Sequence, residues 1–196
     1  MNIEEGISSQ HISKDISKDT TDKERKLVKQ DISTELFPIV DEGGEVMGSM
    51  TRKEAHDGTM KLHPVVHLHV FNSKSELYLQ HRSKWKKVQP DKGDTATGGH
   101  IDYGETVMEA LYREVNEEIG LAPGSYEPRL IKKYIYNSPI EKELVYVFTT
   151  IYDGALSPSE TETQGGRFWS VDEIKQNIGA NVFTPMFEKE YTLLFG

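Results

Sequence analysis

The chain contains no cysteine among its 196 residues. This absence excludes disulfide bonds, thiolate metal ligands and cysteine nucleophiles, and it is compatible with a reducing compartment. There is also no run of about 18 apolar residues that could span a membrane, and the N-terminus lacks the basic-then-apolar pattern of a secretory signal. The sequence therefore predicts a cytoplasmic protein.

Positive charge is scarce as well. The chain has 23 lysines and arginines against 32 acidic residues, which gives a net charge of −9. An acidic protein is repelled by nucleic acid and by anionic membrane surfaces, so we expect neither as a partner. An anionic small-molecule substrate must then be bound locally, by a metal ion and a few basic side chains.

The first 33 residues are polar and show no core-forming apolar pattern. They include the tandem ISKDISKD at 12–19, so this segment is predicted to be a mobile tail in front of one domain, residues 34–196. The alternative is that DKERKLVKQ, at 22–30, forms a short helix that docks on a partner subunit, as in a homodimer.

Beyond the tail, short apolar runs separated by turn residues are typical of strands. Two hairpins are predicted, at 36–50 with a turn at 42–44, and at 65–82 with a turn at 72–75. Further strands are predicted within 129–154 and at 166–171, and closing helices at 171–178 and 185–195. Mixed strands with outer helices indicate an α/β or α+β sandwich with a mixed central sheet.

The most informative segment is GGHIDYGETVMEALYREVNEEIGL, residues 98–121. Its part from Glu105 to Ile119 contains no proline or glycine, which predicts a helix. Gly120 follows, and glycine is the residue type that most readily forms a left-handed C-terminal cap.

Three glutamates crowd the last two turns of this helix. At about 100° per residue, Glu114, Glu117 and Glu118 continue the apolar stripe formed by Val107 and Leu111. Carboxylates at this end oppose the helix dipole and repel one another, so we expect a bound cation to compensate. A solvated acidic face is the alternative, but it would turn the apolar stripe toward water. Oxygen ligands suit Mg²⁺ or Mn²⁺, which leave coordination sites for phosphate and water.

The spacing of the defined residues in this segment resembles the Nudix box. The pattern is Gly99, five residues, Glu105, seven residues, and then REVNEEIGL beginning at Arg113. The resemblance covers about residues 35–195 and implies an α/β/α sandwich and a metal-dependent pyrophosphohydrolase that cleaves a diphosphate linked to a nucleoside or similar group. It also implies that the metal is held by Glu114, Glu117 and Glu118, that Arg113 braces a glutamate of the helix, and that Gly99 with Glu105 shapes the loop.

A narrower resemblance is to the isopentenyl-diphosphate isomerase branch of the Nudix superfamily and its hydrolase relatives. It is carried by TRKEAHDGTMKLH, LQHRSKWKKVQP, TATGGH and IEKELVYVF. The isomerase holds a metal with three histidines and two glutamates, and the matching positions are His56, His63, His100, Glu141 and Glu143. Arg82 and Lys86 fall where the isomerase has basic residues that bind its diphosphate, which implies a role in substrate binding.

Two alternatives to hydrolysis stay open at this point. The isomerase relies on a cysteine where this chain has Gly98, so its proton transfer would lack the usual acid-base partner. A non-catalytic module that senses a nucleotide would need a DNA-reading appendage, whereas the N-terminal tail is short and mixed in charge.

A catalytic base is expected outside the glutamate helix, since the carboxylates of that helix would hold metal. The loop at 157–169 resembles loops that deliver a glutamate to the site in Nudix enzymes, so Glu160 and Glu162 are candidates, with Glu143 next. His67 and His69 alternate with apolar residues of a strand and are expected to face away from the core or to line the substrate cleft.

The sequence leaves the substrate open. A nucleoside diphosphate linked to a small moiety is the default, and CDP-alcohols, ADP-ribose-like compounds and damaged nucleoside triphosphates are alternatives. Tyr134, Tyr136 and Trp85 are aromatic candidates for stacking on a base.

Overall fold

The computed structural model describes residues 35–86, 88–160 and 163–196. Both predictions for the N-terminal segment lie outside these residues, and so does Glu162. The elements are β1 (Leu36–Val40), β2 (Val46–Thr51), α1 (Arg52–Ala55), β3 (Leu62–Phe71), β4 (Leu77–Arg82), β5 (Gly93–Asp94), β6 (Thr97–His100), α2 (Val107–Ile119), β7 (Arg129–Asn137), β8 (Lys142–Ile151), β9 (Thr163–Trp169), α3 (Val171–Asn177) and α4 (Pro185–Phe195).

Both predicted hairpins are present, and they belong to different sheets. Strands β1 and β2 form a two-stranded antiparallel sheet. The main sheet has the order β5-β4-β3-β8-β7, with β6 paired to β3 and β9 paired to β4. Strands β3 and β8 run parallel, with His63 opposite Glu143, whereas the other pairs are antiparallel. The sheet is therefore mixed, as predicted.

Helices cover both faces of this sheet. Because side chains alternate along a strand, Val66, Leu68 and Val70 of β3 face α2, where Leu111 and Val115 are fully buried. On the opposite face, helices α3 and α4 pack over the side chains of the neighbouring strands. This second core contains Leu77, Leu79, Ile174, Phe183, Phe187 and Tyr191. Each fully buried large apolar side chain contributes about 2 kcal/mol.

Helix α2 begins two residues later than predicted. Thr106 is its N-cap, and it forms a capping box with Glu109, an arrangement that stabilises a helix by about 1 kcal/mol. The predicted C-cap is present, since Gly120 has a left-handed backbone with φ of 72°. Glu105 therefore precedes the helix, and its side chain is available to Arg113.

Candidate active site

Arg113 connects helix α2 to the segment between β6 and α2. Its Nε and Nη2 donate to the two carboxylate oxygens of Glu105, at 2.9 and 2.8 Å, and its Nη1 donates to Glu114 Oε1 at 2.7 Å. Nη2 also donates to the carbonyl oxygen of His100 at 3.0 Å. Burial raises the pKa of Glu114, although the neighbouring guanidinium acts in the opposite direction. The arginine thus fixes Glu114 in a mostly buried position, which agrees with the bracing role that the resemblance implies for Arg113.

The three glutamates in the last two turns of α2 differ in their surroundings. The side chain of Glu114 is 15% exposed, whereas that of Glu117 is 61% exposed and lies 3.7 Å from Arg113. Glu118 is half-buried and accepts a hydrogen bond from the backbone N–H of Gly98 at 3.1 Å. The prediction that all three continue the apolar stripe does not hold for Glu117, because its side chain is exposed whereas the stripe is buried.

Gly99 lies directly against Glu114. A Cβ atom at this position would lie far inside van der Waals contact with the carboxylate of Glu114. A side chain at this position would therefore displace either the Glu114 carboxylate or β6. The role of Gly99 in substrate binding stays a prediction.

The histidines and glutamates of the second predicted site come together. Potential ligand atoms of His56, His63 and His100 lie within 4.8 Å of one another, and so do those of His63, Glu141 and Glu143. The parallel pairing of β3 with β8 sets His63 beside Glu143. His56 Nε2 lies 3.2 Å from Glu141 Oε2. We call these five residues the histidine–glutamate cluster.

The donor atoms of this cluster are of the kinds that divalent metals bind in proteins. His63 Nδ1 lies 3.2 Å from the carbonyl oxygen of Lys61, which can only accept, so the lone pair of the neutral ring is on Nε2. Burial lowers the pKa of His63 to about 4, which keeps the ring neutral. Among the described residues, His63 Nε2, His100 Nε2 and Glu143 Oε2 are buried without a hydrogen-bond partner. Buried groups without partners are costly, and a metal ion would satisfy all three.

The loop that follows β8 reaches the end of α2. The backbone N–H groups of Ser157 and Ser159 donate to the carbonyl oxygens of Ile119 and Glu118, at 2.9 and 2.8 Å. This contact brings Glu160, which is exposed, close to the C-terminal turn of the helix. Its predicted role as a base stays a prediction.

Arg82 has a structural role that the sequence did not reveal. Its guanidinium donates to Asp94 Oδ2 at 2.8 Å and to the carbonyl oxygens of Val88 and Gln89 at 3.1 and 3.0 Å. The side chain thus holds the loop between β4 and β5. Contacts of Arg82 and Lys86 with phosphate stay predictions.

A buried polar network beneath α4 was not predicted. The carboxylate of Glu190 is fully buried and lies 2.9 Å from His67 Nδ1 and 2.6 Å from His69 Nε2. It also accepts a hydrogen bond from the Tyr134 hydroxyl at 2.7 Å. His67 and His69 are therefore buried against α4 rather than exposed. The signal in the sequence was a glutamate within the apolar stripe that also includes Phe187 and Tyr191.

This network predicts a pH-dependent stability. Burial alone would lower the pKa of His67, but the Glu190 carboxylate raises it to about 9. The charged pair stabilises the folded state fully below the unfolded pKa of about 6.5 and loses this contribution as the pH rises through about 9. Between pH 6.5 and 9.5, we expect the wild-type free energy of unfolding to fall by on the order of 3 kcal/mol more than that of His67→Gln. Denaturant titrations of both proteins at the two pH values measure this difference, and equal losses would contradict it.

The comparisons with known proteins agree with this architecture. The sequence profile of the NUDIX domain matches residues 61–187, so the chain belongs to the NUDIX domain family. Members of this family are in general pyrophosphohydrolases that use divalent metals such as Mg²⁺ or Mn²⁺. The predicted family, fold class and enzyme class are confirmed.

Individual relatives carry two kinds of name. Isopentenyl-diphosphate Delta-isomerase 1 of Photorhabdus laumondii subsp. laumondii is 28% identical over 160 residues, which is 78% of this chain and 90% of the relative. An uncharacterized Nudix hydrolase of Nostoc sp. is 33% identical over 119 residues, 61% of this chain and 68% of the relative. The crystal structure of DR0079 from Deinococcus radiodurans superposes with a TM-score of 0.71 at 22% identity, covering 83% of this chain and all of that one.

None of the described helices is long and apolar enough to cross a membrane.

Proposed function

We propose that this protein hydrolyses a phosphoanhydride bond in a nucleoside diphosphate linked to another moiety, or in a related organic pyrophosphate. The observation that carries the proposal is the placement of Glu114, Glu117 and Glu118 within the last two turns of a helix that has no basic residue in its last turn. Arg113 and the N–H of Gly98 hold two of these carboxylates. A helix end of this kind attracts a cation, and carboxylate oxygens suit Mg²⁺ or Mn²⁺.

A divalent ion bound by these glutamates would neutralise charge on the phosphate groups and lower the pKa of a bound water molecule. The side chains of the protein have separate roles. In this proposal Arg113 keeps Glu114 oriented, while Glu160 or Glu162 accepts the proton of the attacking water. Arg82 and Lys86 bind the phosphate groups that do not react.

We also propose that the histidine–glutamate cluster holds a second divalent ion, Mn²⁺, Zn²⁺ or Mg²⁺. The three buried atoms without partners support this proposal, since histidine nitrogens with carboxylate oxygens suit these metals. The structural alternative is a buried polar cluster without metal, which would leave these atoms unsatisfied.

Replacing a histidine of the cluster tests the second ion. In calorimetric titrations with Mn²⁺ or Zn²⁺, we expect His63→Asn to lower the affinity of one metal site by at least about tenfold. The substitution removes a direct metal ligand, and even the loss of a residue that only hydrogen-bonds to a ligand has an effect of this size. His81→Asn is the matched control, since His81 is 48% exposed and lies outside the cluster. Unchanged affinity and stoichiometry in His63→Asn would remove the second ion from the proposal.

Isomerisation of isopentenyl diphosphate to an allylic diphosphate is the second candidate. The isomerase-named relatives favour it, whereas the lack of cysteine opposes it. A panel of phosphoanhydrides and isopentenyl diphosphate, incubated with the protein and Mg²⁺ or Mn²⁺, separates the two when the products are identified. We expect hydrolysis of at least one phosphoanhydride. Conversion of isopentenyl diphosphate alone would overturn the proposed function.

A further inference from the structure

His67 stands apart from the other members of the buried network. Its Nδ1 faces Glu190, but its Nε2 has no hydrogen-bond partner in the part of the chain that the structure describes. The residue is 6% exposed, whereas His69 and Glu190 are fully buried. His67 Nε2 is not among the described buried atoms that lack a partner, whereas His69 Nδ1 is, so the Nε2 edge of His67 is the one that solvent or a ligand can reach.

The free edge of the His67 ring faces β6. His67 is paired with Gly98, and a Cβ atom on Gly98 would lie 3.2 Å from Cδ2 and 3.4 Å from Nε2 of the imidazole. Gly98 is also the residue whose N–H donates to Glu118. A single residue therefore separates the ring from a carboxylate of the proposed metal site.

The charges around His67 keep it cationic. Glu190 lies directly behind the ring, and Glu143 and Asp94 act in the same direction at longer range. Glu190 itself accepts from His69 and Tyr134, which fixes its position and leaves it no freedom to turn away. The result is an imidazolium held from behind by Glu190, whose remaining N–H donor lies on the ring edge beside Gly98. Such a preorganised donor is suited to an anionic oxygen.

We propose that His67 is a phosphate-binding residue of the active-site cleft, which donates from Nε2 to an anionic oxygen of the phosphoanhydride substrate. Glu190 is its positioning residue. This inference deepens the proposed hydrolysis and rests on it for the identity of the substrate. The alternative is that the network only fastens α4 to the sheet.

Inorganic pyrophosphate with Mg²⁺ is the probe, because its binding can be measured whether or not the protein hydrolyses it. By calorimetry, we expect His67→Gln to weaken pyrophosphate binding about 10- to 100-fold, the effect of losing a hydrogen bond from a charged donor. His81→Gln is the matched control, since His81 is 48% exposed and lies outside this network, so we expect less than about a threefold change.

A direct spectroscopic measurement complements the variants. In wild-type protein with ¹⁵N-labelled histidine, the His67 ring is expected to be doubly protonated at pH 7.5, and pyrophosphate with Mg²⁺ is expected to shift its Nε2 resonance. Unchanged affinity in His67→Gln, or an Nε2 resonance that pyrophosphate does not move, overturns the inference. The proposed function fails separately, when wild-type protein hydrolyses no phosphoanhydride.

Discussion

Glu118→Gln is expected to lower turnover by at least about 10²-fold, and Glu117→Gln is expected to do the same. Each substitution removes a negative charge directed at the proposed metal site while keeping the size of the side chain. Neither residue is part of the apolar core, since Glu117 is exposed and Glu118 is half-buried. Steady-state kinetics on a substrate found in the phosphoanhydride screen, with saturating Mg²⁺, measure the effect.

The control for these variants must separate lost chemistry from lost structure. Glu127→Gln makes the same change at an exposed glutamate outside α2, and we expect it to retain wild-type turnover. Circular dichroism and thermal unfolding should be close to wild type for all three variants. Wild-type turnover in both Glu117→Gln and Glu118→Gln would rule out the glutamates of α2 as metal ligands.

Local patterns explain why much of the fold could be predicted. Helix α2 has a continuous run of helix-forming residues ending at Gly120, and the turns at 42–44 and 72–75 are short and rich in turn residues. These signals act within a few residues of one another. The capping box at Thr106 belongs to the same class, and it explains the two-residue error at the start of the helix.

Long-range contacts explain what the sequence did not reveal. Glu190 meets His67 across more than 120 positions, and no periodic pattern within either segment specifies this pairing. Likewise, Arg82 was predicted to bind phosphate from the resemblance to the isomerase, and its bonds to Asp94 and to loop carbonyls depend on how the loop after β4 closes. The five residues of the histidine–glutamate cluster were found only through a family resemblance.

The segment from Gly98 to Glu105 connects the two proposed metal sites. The N–H of Gly98 holds Glu118, the imidazole of His100 enters the histidine–glutamate cluster, and the carbonyl of His100 accepts from Arg113. Arg113 in turn binds Glu105 and Glu114. A displacement of this segment would therefore change both sites together, and a side chain at Gly99 would meet the carboxylate of Glu114.

Gly99→Ala is expected to reduce turnover by about 10²-fold or more, because the new methyl group would overlap the carboxylate of Glu114. Glu114 cannot move aside without losing its bond to Arg113, and its side chain is 15% exposed, so either the carboxylate or β6 must shift. Overpacking of this kind typically costs about 1–3 kcal/mol of stability, which leaves most of the protein folded. Gly48→Ala is the matched control, since a Cβ there would meet Ile39 at an ordinary 3.9 Å. Kinetics and thermal unfolding of both variants make the comparison, and wild-type turnover in Gly99→Ala would show that the position of Glu114 does not limit the reaction.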